Sequence, residues 1–548
     1  MAHALAGKPV QEQDIIDVQT IVDAYFDNVP DMTNPTQLVS FGTSGHRGTS
    51  VDGTFTDLHV AAITQAICDG RKQFGATGPI FVGQDTHALS QPALVTVLEV
   101  LAGNGVTAMV DCDMDFVPTP SVSRAIIRYN EEHDDKADGI IITPSHNPPD
   151  NGGIKYNTII GGPADTVVTK WIEMRANEYL TAYCESEDFK RISIDNIEPT
   201  AQVPYDYKGL YVEELGDVIN MEAIKAAGPK VLVDTLGGSG ASYWNAIKER
   251  YGLDLTIIHD DYNPTFSFMT YDHDGKVRMD CSSTYVMASV INRIGDFDLA
   301  VGNDPDYDRY GIVVSSGLIS ANTFLTLAAR YLFTTRGWKN KGVGKTVVCT
   351  TMIDKWATGG KIPVFEVPVG FKYFSQLLFD GAIGIGGEES AGASFLKKDG
   401  TVWTTDKDGM IMALLSMEIM AVMGKSALKM ADESLEEFGN PSFGRIDAPC
   451  KKEQKQILKQ MSAELITATT VDGDPITNIR TTSLYNDMPI DGVRVETDKG
   501  WFVARPSGTE DLYKIYGESY KGDLGLVALL TAGEEIVNAA LNGTIETE

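Results

Sequence analysis

The sequence predicts a multidomain α/β chain that closes on an α+β domain, and three observations predict it. Strand-like and helical runs alternate through most of the length. The last stretch changes to alternating strands joined by a tight turn. The chain has 548 residues, more than one core of ordinary domain size holds.

Pro79-Ile80-Phe81-Val82-Gly83 is a short apolar run closed by glycine, a strand by length and punctuation. Residues 91–103 follow with Leu94, Val97, Leu98 and Leu101 at helical spacing, and residues 106–110 read as a second strand, so a βαβ unit is predicted. The rhythm returns at residues 230–233 with 241–250, at 297–301 and at 345–350. Val493-Arg494-Val495-Glu496-Thr497 alternates and Gly500-Trp501-Phe502-Val503 returns after a turn, which predicts a hairpin. Polar or proline-bearing seams fall near residues 199–207, 315–321 and 438–449, spaced as domain boundaries usually are. The stretch up to about Asp31 has helical character.

Composition excludes several classes. Acidic residues outnumber basic ones 76 to 45, leaving a formal charge of −31, which argues against a nucleic-acid or anionic-membrane partner. An anionic substrate would then need positive charge gathered locally. No stretch of about 18 uncharged apolar residues is present. The N-terminal residues lack a charged segment followed by an apolar one, so no secretion signal is expected. Six cysteines without CxxC spacing fit reduced thiols, and the cytoplasm is the expected compartment.

Five segments carry the chemistry. In Thr143-Pro144-Ser145-His146-Asn147-Pro148-Pro149 an apolar strand runs into a loop stiffened by prolines. Ser145 thus sits past the carboxyl end of a strand, where open α/β sheets place their sites. Thr143 and Asn147 stand where G-x-S-x-G has glycines, so an acyl-transfer elbow is not expected. In Asp304-Pro305-Asp306-Tyr307-Asp308-Arg309 three alternate carboxylates can converge on one hard cation. An EF-hand would need glycine where Arg309 stands and glutamate where Ser315 stands. Gly387-Glu388-Glu389-Ser390-Ala391-Gly392 offers Glu388 and Ser390 as acceptors for sugar hydroxyls. Arg505-Pro506-Ser507-Gly508-Thr509 sets a guanidinium beside two hydroxyls and a glycine, a cradle for phosphate. Arg47 stands among small residues in Phe41-Gly42-Thr43-Ser44-Gly45-His46-Arg47-Gly48 and suits phosphate as well. Nucleotide motifs fail: Gly344-Lys345-Thr346 ends like a P-loop, but Lys339 occupies the required earlier glycine.

A serine, a metal-type loop, a sugar-type loop and two phosphate-type loops, with no nucleotide site, point to phosphoryl transfer from the enzyme itself. These five segments, in this order and across essentially the whole chain, resemble the α-D-phosphohexomutase superfamily, most closely its bacterial phosphoglucomutase branch specific for α-D-glucose phosphates. The resemblance implies three related α/β domains with mixed sheets in three layers, plus a smaller C-terminal α+β domain, around a central cleft. The expected boundaries are 1–205 with the N-terminal helical extension, the Arg47 loop and the serine loop; 206–319 with the metal loop; 320–440 with the sugar loop; and 441–548 with the phosphate loop.

The resemblance further implies interconversion of α-D-glucose 1-phosphate and glucose 6-phosphate, with glucose 1,6-bisphosphate as intermediate and activator. Ser145 matches the family's phosphoserine. Asp304, Asp306 and Asp308 match its Mg²⁺ ligands, with Ser145 completing the set. Arg47 and Arg309 match residues that steady the phosphoryl group. His146 and Lys155 match positions of proposed acid/base function, and Lys407 is a further candidate. Glu388, Ser390 and Lys372 are expected to contact substrate, and Arg505, Ser507, Gly508 and Thr509 to hold the phosphate that is not transferred. Pro305 and Tyr307 replace glycines common in some relatives, and the wording of the sugar loop is the glucose type. Expected partners are small hexose phosphates, without nucleic acid or membrane, and a homodimer is left open. The rivals are a mutase for mannose or glucosamine phosphate and a non-catalytic sugar-phosphate binder.

Overall fold

The computed structural model describes residues 3–42, 44–184, 189–506 and 512–545. The chain forms two compact units. One comprises Met1–Ala321, Phe374–Gly381 and Ser390–Leu428, and the other Asn322–Tyr373, Ala382–Glu389 and Lys429–Glu548.

The first unit holds two sheets. A six-stranded mixed sheet runs in the order His46–Thr49, Asn151–Asn157, Asp138–Ile142, Ile80–Gln84, Ala108–Asp111, Gln202–Tyr205. The last four strands are mutually parallel, and the first two join antiparallel. Strand residues alternate between faces, and the burial follows that period of two. Ile80, Val82, Ile140 and Ile142 pack with helices Asp57–Gly70, Ser90–Gly103 and Thr166–Cys184. Phe81 and Ile141 pack on the other side with Val122 and Ile126 of helix Thr119–Glu132. The result is a three-layer α/β domain. The predicted βαβ unit lies here with its strands shifted by one or two residues.

The second sheet has the order Gly317–Leu318, Gly311–Val314, Leu299–Gly302, Val231–Asp234, Leu255–Ile258. Its last three strands are parallel and the first two turn back antiparallel. Residues 303–310 therefore form the connection at the carboxyl end of strand Leu299–Gly302. The N-terminal arm lies along this domain: Gly7 and Val10 donate to the Tyr271 and Met269 carbonyls, and Tyr271 donates to Lys8. Helix Val18–Asp27 follows, and its Ile21 and Tyr25 enter the core of the six-stranded domain.

The second unit contains the parallel strands Val364–Val367, Gly342–Thr346 and Ile383–Gly387. The strand expected at residues 345–350 is displaced to Gly342–Thr346. Gly342 and Gly344 hide its start from an apolar reading, while Val347 and Val348 leave the strand to pack with Ile490, Trp501 and Val503. The C-terminal domain is a six-stranded sheet ordered Ser442–Pro449, Leu512–Ser519, Gly500–Pro506, Pro489–Thr497, Asp474–Thr482, Thr470–Val471, antiparallel throughout. Its predicted hairpin is present, with Thr497 opposite Gly500. Helix Gly522–Ile545 covers the sheet through Leu529, Leu530, Val537 and Leu541. Among the described residues its segment Gly522–Asn542 is the one helix long and apolar enough to cross a membrane, although it carries Asp523, Glu534 and Glu535 and joins the domain's core.

Candidate active site

Strand Asp138–Ile142 delivers Ser145 at its carboxyl end, in a buried loop. The backbone there is left-handed, with φ of 63° at a residue that carries a Cβ, a conformation that costs about 1–3 kcal/mol and persists only where the surroundings impose it. They do impose it. The Ser145 amide donates to Thr143 Oγ1 at 2.8 Å, and Thr143 donates in turn to Asp85 Oδ2 at 2.6 Å. Asp85 also accepts from Ser90 Oγ at 2.6 Å and from His87 Nδ1 at 2.8 Å, while His87 Nε2 lies 3.0 Å from the Asn147 carbonyl. The loop is thus gripped on both flanks of the serine. Burial opposes charge on this pair. The ion pair and its hydrogen bonds outweigh it, holding the Asp85 carboxyl below its ordinary value and His87 above.

The Ser145 hydroxyl donates to Asp304 Oδ2 at 3.0 Å and lies 3.3 Å from His146 Nδ1. Asp304, Asp306 and Asp308 are all buried, and one oxygen from each lies within 4.8 Å of the others. Burial, together with the charges of Asp306 and Asp308, pushes the Asp304 carboxyl well above the usual carboxylate range. Lys155 sits opposite Ile141 in the sheet, and its Nζ reaches Asp306 Oδ2 at 2.7 Å and Asp308 Oδ2 at 3.2 Å. Lys407 Nζ reaches Asp308 Oδ2 at 2.9 Å. Burial disfavours charge on Asp308, but Lys407, Lys155 and Arg309 override it and hold it far below the ordinary range. Burial likewise opposes charge on Lys155, and Asp306 and Asp308 override it, raising its pKa.

These bonds leave a definite remainder. Asp306 Oδ1 and Asp308 Oδ1 are buried and have no hydrogen-bond partner among the described residues. Two carboxylate oxygens without a hydrogen bond, a third aspartate whose ionisation its neighbours oppose, and a serine hydroxyl form a hard-oxygen set. That set fits a divalent cation such as Mg²⁺.

Further residues frame the cluster. The Arg309 amide donates to Asp304 Oδ1 at 2.9 Å, and its guanidinium lies 3.8 Å from both Asp308 and Asp280. Asp280 Oδ2 is also 3.8 Å from His146 Nε2. Burial, Arg309 and Arg47 depress the His146 imidazole well below its ordinary value, with Asp280 opposing. Arg47, on strand His46–Thr49 opposite Gly153, is within the electrostatic reach of Asp306, Arg309, Asp308 and Asp304. The 390–392 segment returns to this cluster, since Gly392 bridges to Arg309 and Tyr310 N donates to the Ala391 carbonyl.

The first unit therefore gathers Ser145, His146, Lys155, Asp304, Asp306, Asp308, Arg309, Arg47 and Lys407, and it holds Ser390 two residues from Gly392. Lys372, Glu388 and Arg505 belong to the second unit. There Arg505 Nε donates to the Ile490 carbonyl at 2.7 Å at the end of strand Gly500–Pro506. Ser507, Gly508 and Thr509 lie outside the described residues. Sequence reasoning missed Asp85, His87, Thr119 and Asp280. Asp85 and His87 directly follow strand Ile80–Gln84, so their place at its carboxyl end was available as a signal. Thr119 and Asp280 carry no local pattern.

Comparison with known proteins bears on what this cluster does. Four descriptions of the phosphoglucomutase/phosphomannomutase family match the chain in order: alpha/beta/alpha domain I over residues 38–182, domain II over 210–317, domain III over 320–438 and the C-terminal domain over 447–524. A phosphoglucomutase of Komagataeibacter xylinus is 46% identical over 539 residues, covering 97% of each chain. Phosphoglucomutase 1 of Saccharomyces cerevisiae is 26% identical over 88% of each. Among solved structures, a putative phosphomannomutase from Thermus thermophilus matches with a TM-score of 0.71 at 23% identity, over 91% of this chain and 99% of that one. The phosphoglucomutase pp63/parafusin from Paramecium matches with a TM-score of 0.72 at 20% identity, over 94% and 96%. These two likenesses establish the fold, and the sequence matches establish the kinship. The chain belongs to the phosphoglucomutase/phosphomannomutase family of α-D-phosphohexomutases, hexose-phosphate mutases of the isomerase class.

Proposed function

We propose that the protein interconverts α-D-glucose 1-phosphate and glucose 6-phosphate, with Ser145 as the phosphoryl carrier. The observation that carries this reading is the Ser145 hydroxyl bonded to Asp304 inside a buried aspartate trio braced by Lys155, Lys407 and Arg309. The name of the 46% identical relative supports glucose as the sugar.

In the proposed cycle the phosphorus–Oγ bond of phospho-Ser145 breaks as a bond forms to the 6-hydroxyl of glucose 1-phosphate. The hydroxyl proton passes to a neighbouring base, for which His146 is the candidate, while Lys155 and Lys407 are the candidates for the acid that protonates the departing Ser145 Oγ. Glucose 1,6-bisphosphate results. Its 1-phosphoryl group then returns to Ser145 Oγ, which gives up its proton as the bridging O1 takes one up, and glucose 6-phosphate leaves. Asp304, Asp306, Asp308 and the serine oxygen would hold Mg²⁺, which supplies charge neutralisation for the phosphoryl oxygens. Arg47 and Arg309 steady those oxygens. Glu388, Ser390 and Lys372 are assigned to the sugar, and Arg505, Ser507, Gly508 and Thr509 to the phosphate not being transferred. The domain boundaries 1–205, 206–319, 320–440 and 441–548 are proposed with these roles, and the cytoplasm as the location.

A coupled assay of glucose 1-phosphate conversion tests the reading, run with and without Mg²⁺ and glucose 1,6-bisphosphate and beside mannose 1-phosphate. The expected result is Mg²⁺-dependent conversion of the glucose ester, stimulated by the bisphosphate. Preference for the mannose ester would overturn the sugar assignment, and turnover in the presence of excess chelator would overturn the metal.

A further inference from the structure

Each oxygen of Asp306 has a separate fate. Oδ1 is buried and unpartnered, while Oδ2 accepts from Lys155 Nζ at 2.7 Å and from Thr119 Oγ1 at 2.7 Å. Thr119 grips the same residue a second time, since its backbone N–H donates to the Asp306 carbonyl at 2.9 Å. Thr119 opens helix Thr119–Glu132 of the six-stranded domain, where the first amides have no partner within the helix and Pro120 suits the first turn. It is fully buried and stands 187 positions from Asp306 in sequence, so one residue of the first domain seizes both the backbone and the carboxylate of the metal-type loop of the second.

The arrangement fixes more than position. A carboxylate on a short side chain turns about χ2, and either oxygen could face the cation. Thr119 and Lys155 together occupy Oδ2 and leave Oδ1 without a hydrogen-bond partner among the described residues. Lys155 also reaches Asp308, so its grip on Asp306 is shared. The threonine hydroxyl spends its single proton on Asp306 alone. We propose that Thr119 is a positioning residue for the divalent cation, holding Asp306 in the orientation that presents Oδ1 to the metal and tying the two domains together at that point. The inference rests on the reading of Asp304, Asp306 and Asp308 as the cation site.

Outer partners of metal-bound carboxylates are commonly worth about 10–100-fold in affinity. The test is a Mn²⁺ titration of the chelator-stripped full-length protein, followed by electron paramagnetic resonance of free Mn²⁺, with thermal melts in chelator as a check of folding. The unmodified chain is expected to bind one Mn²⁺ at this site and Asp306→Asn to lose it. Thr119→Val, which keeps the shape and the amide but removes the hydroxyl, should weaken binding by about tenfold or more. Thr119→Ser, which restores the hydroxyl, should recover to within about threefold of the unmodified protein. Thr119→Ala gives the same reading where valine is rejected by the fold. Unchanged Mn²⁺ affinity in a folded valine or alanine variant, while Asp306→Asn loses the ion, overturns the role of Thr119 alone. Absence of Mn²⁺ binding by the unmodified chain overturns the cation reading and this inference with it.

Discussion

At Ser145 a left-handed backbone and a buried hydroxyl coincide, and the pair explains why this serine differs from a capping serine in a turn. The strain aims Oγ toward Asp304, and the Thr143–Asp85–His87 network sustains the strain. Ser145→Ala should lower mutase turnover at least about 10³-fold, with an unchanged circular dichroism spectrum, because nothing else on the loop can store a phosphoryl group. Substantial residual turnover would remove Ser145 from the mechanism. Asp308→Asn should raise the Mg²⁺ concentration for half-maximal rate by at least about tenfold, and it should also loosen Lys407, whose Nζ pairs with Asp308 Oδ2 at 2.9 Å. The acidic triplet was legible in the sequence because Asp304, Asp306 and Asp308 stand two apart in one loop. Their electrostatics was not legible, since Lys155 and Lys407 approach from other strands and loops.

At the scale of elements, the carboxyl ends of three strands do the positioning. Strand Ile80–Gln84 supplies Asp85 and His87, strand Asp138–Ile142 supplies Ser145, and strand Leu299–Gly302 supplies the aspartates. The strand before Ser145 was readable from its apolar run, and the period of two then places Ile140 and Ile142 on one face and Ile141 on the other. The grip of one loop on another was not readable, because Asp85 and Thr143 are 58 positions apart and only the sheet order makes them neighbours. Asp85→Asn would turn an amide N–H₂ toward one pair of donors. It should cost on the order of 2 kcal/mol in urea unfolding. It should also reduce kcat more than it changes KM, because the serine loses its orientation while the sugar contacts remain. Normal kcat in a destabilised variant would show the network to be structural only. The displaced strand Gly342–Thr346 teaches the complementary lesson: glycines can lie inside a buried strand, and valines can lie past its end when another domain's core receives them.

Across the molecule, buried histidines tie folding to pH. His46 and His59 stack at 5.2 Å and are hydrogen-bonded to backbone oxygens of Thr54 and Gln37. Burial lowers His46 to about 4, and burial with the neighbouring His46 lowers His59 to about 3. The folded form therefore refuses protons that the unfolded chain accepts below 6.5. This stability is fully present above pH 6.5 and is lost as the pH falls toward 4, by on the order of 3 kcal/mol for His46. Denaturant unfolding of the unmodified protein and of His46→Gln, compared between pH 7 and pH 4.5, should show a steeper loss in the former. Equal slopes would contradict the assignment. Such a pair was invisible in the sequence, where His46 reads as part of a glycine-rich phosphate loop and His59 as an ordinary helical residue. The five chemistry-bearing segments were legible because each is short and local. Their assembly depends on sheet order and on contacts such as Thr119 to Asp306.

The account turns on Ser145 as a phosphoryl depot. The direct measurement is peptide mapping by mass spectrometry of the full-length protein after incubation with glucose 1,6-bisphosphate and Mg²⁺, then again after chase with glucose 1-phosphate. The account predicts one phosphate on the peptide containing Ser145, placed on that residue by fragmentation and exchangeable with the sugar pool during the chase. An unphosphorylated Ser145 in protein that is turning over substrate, or a phosphate there that never exchanges, would contradict it.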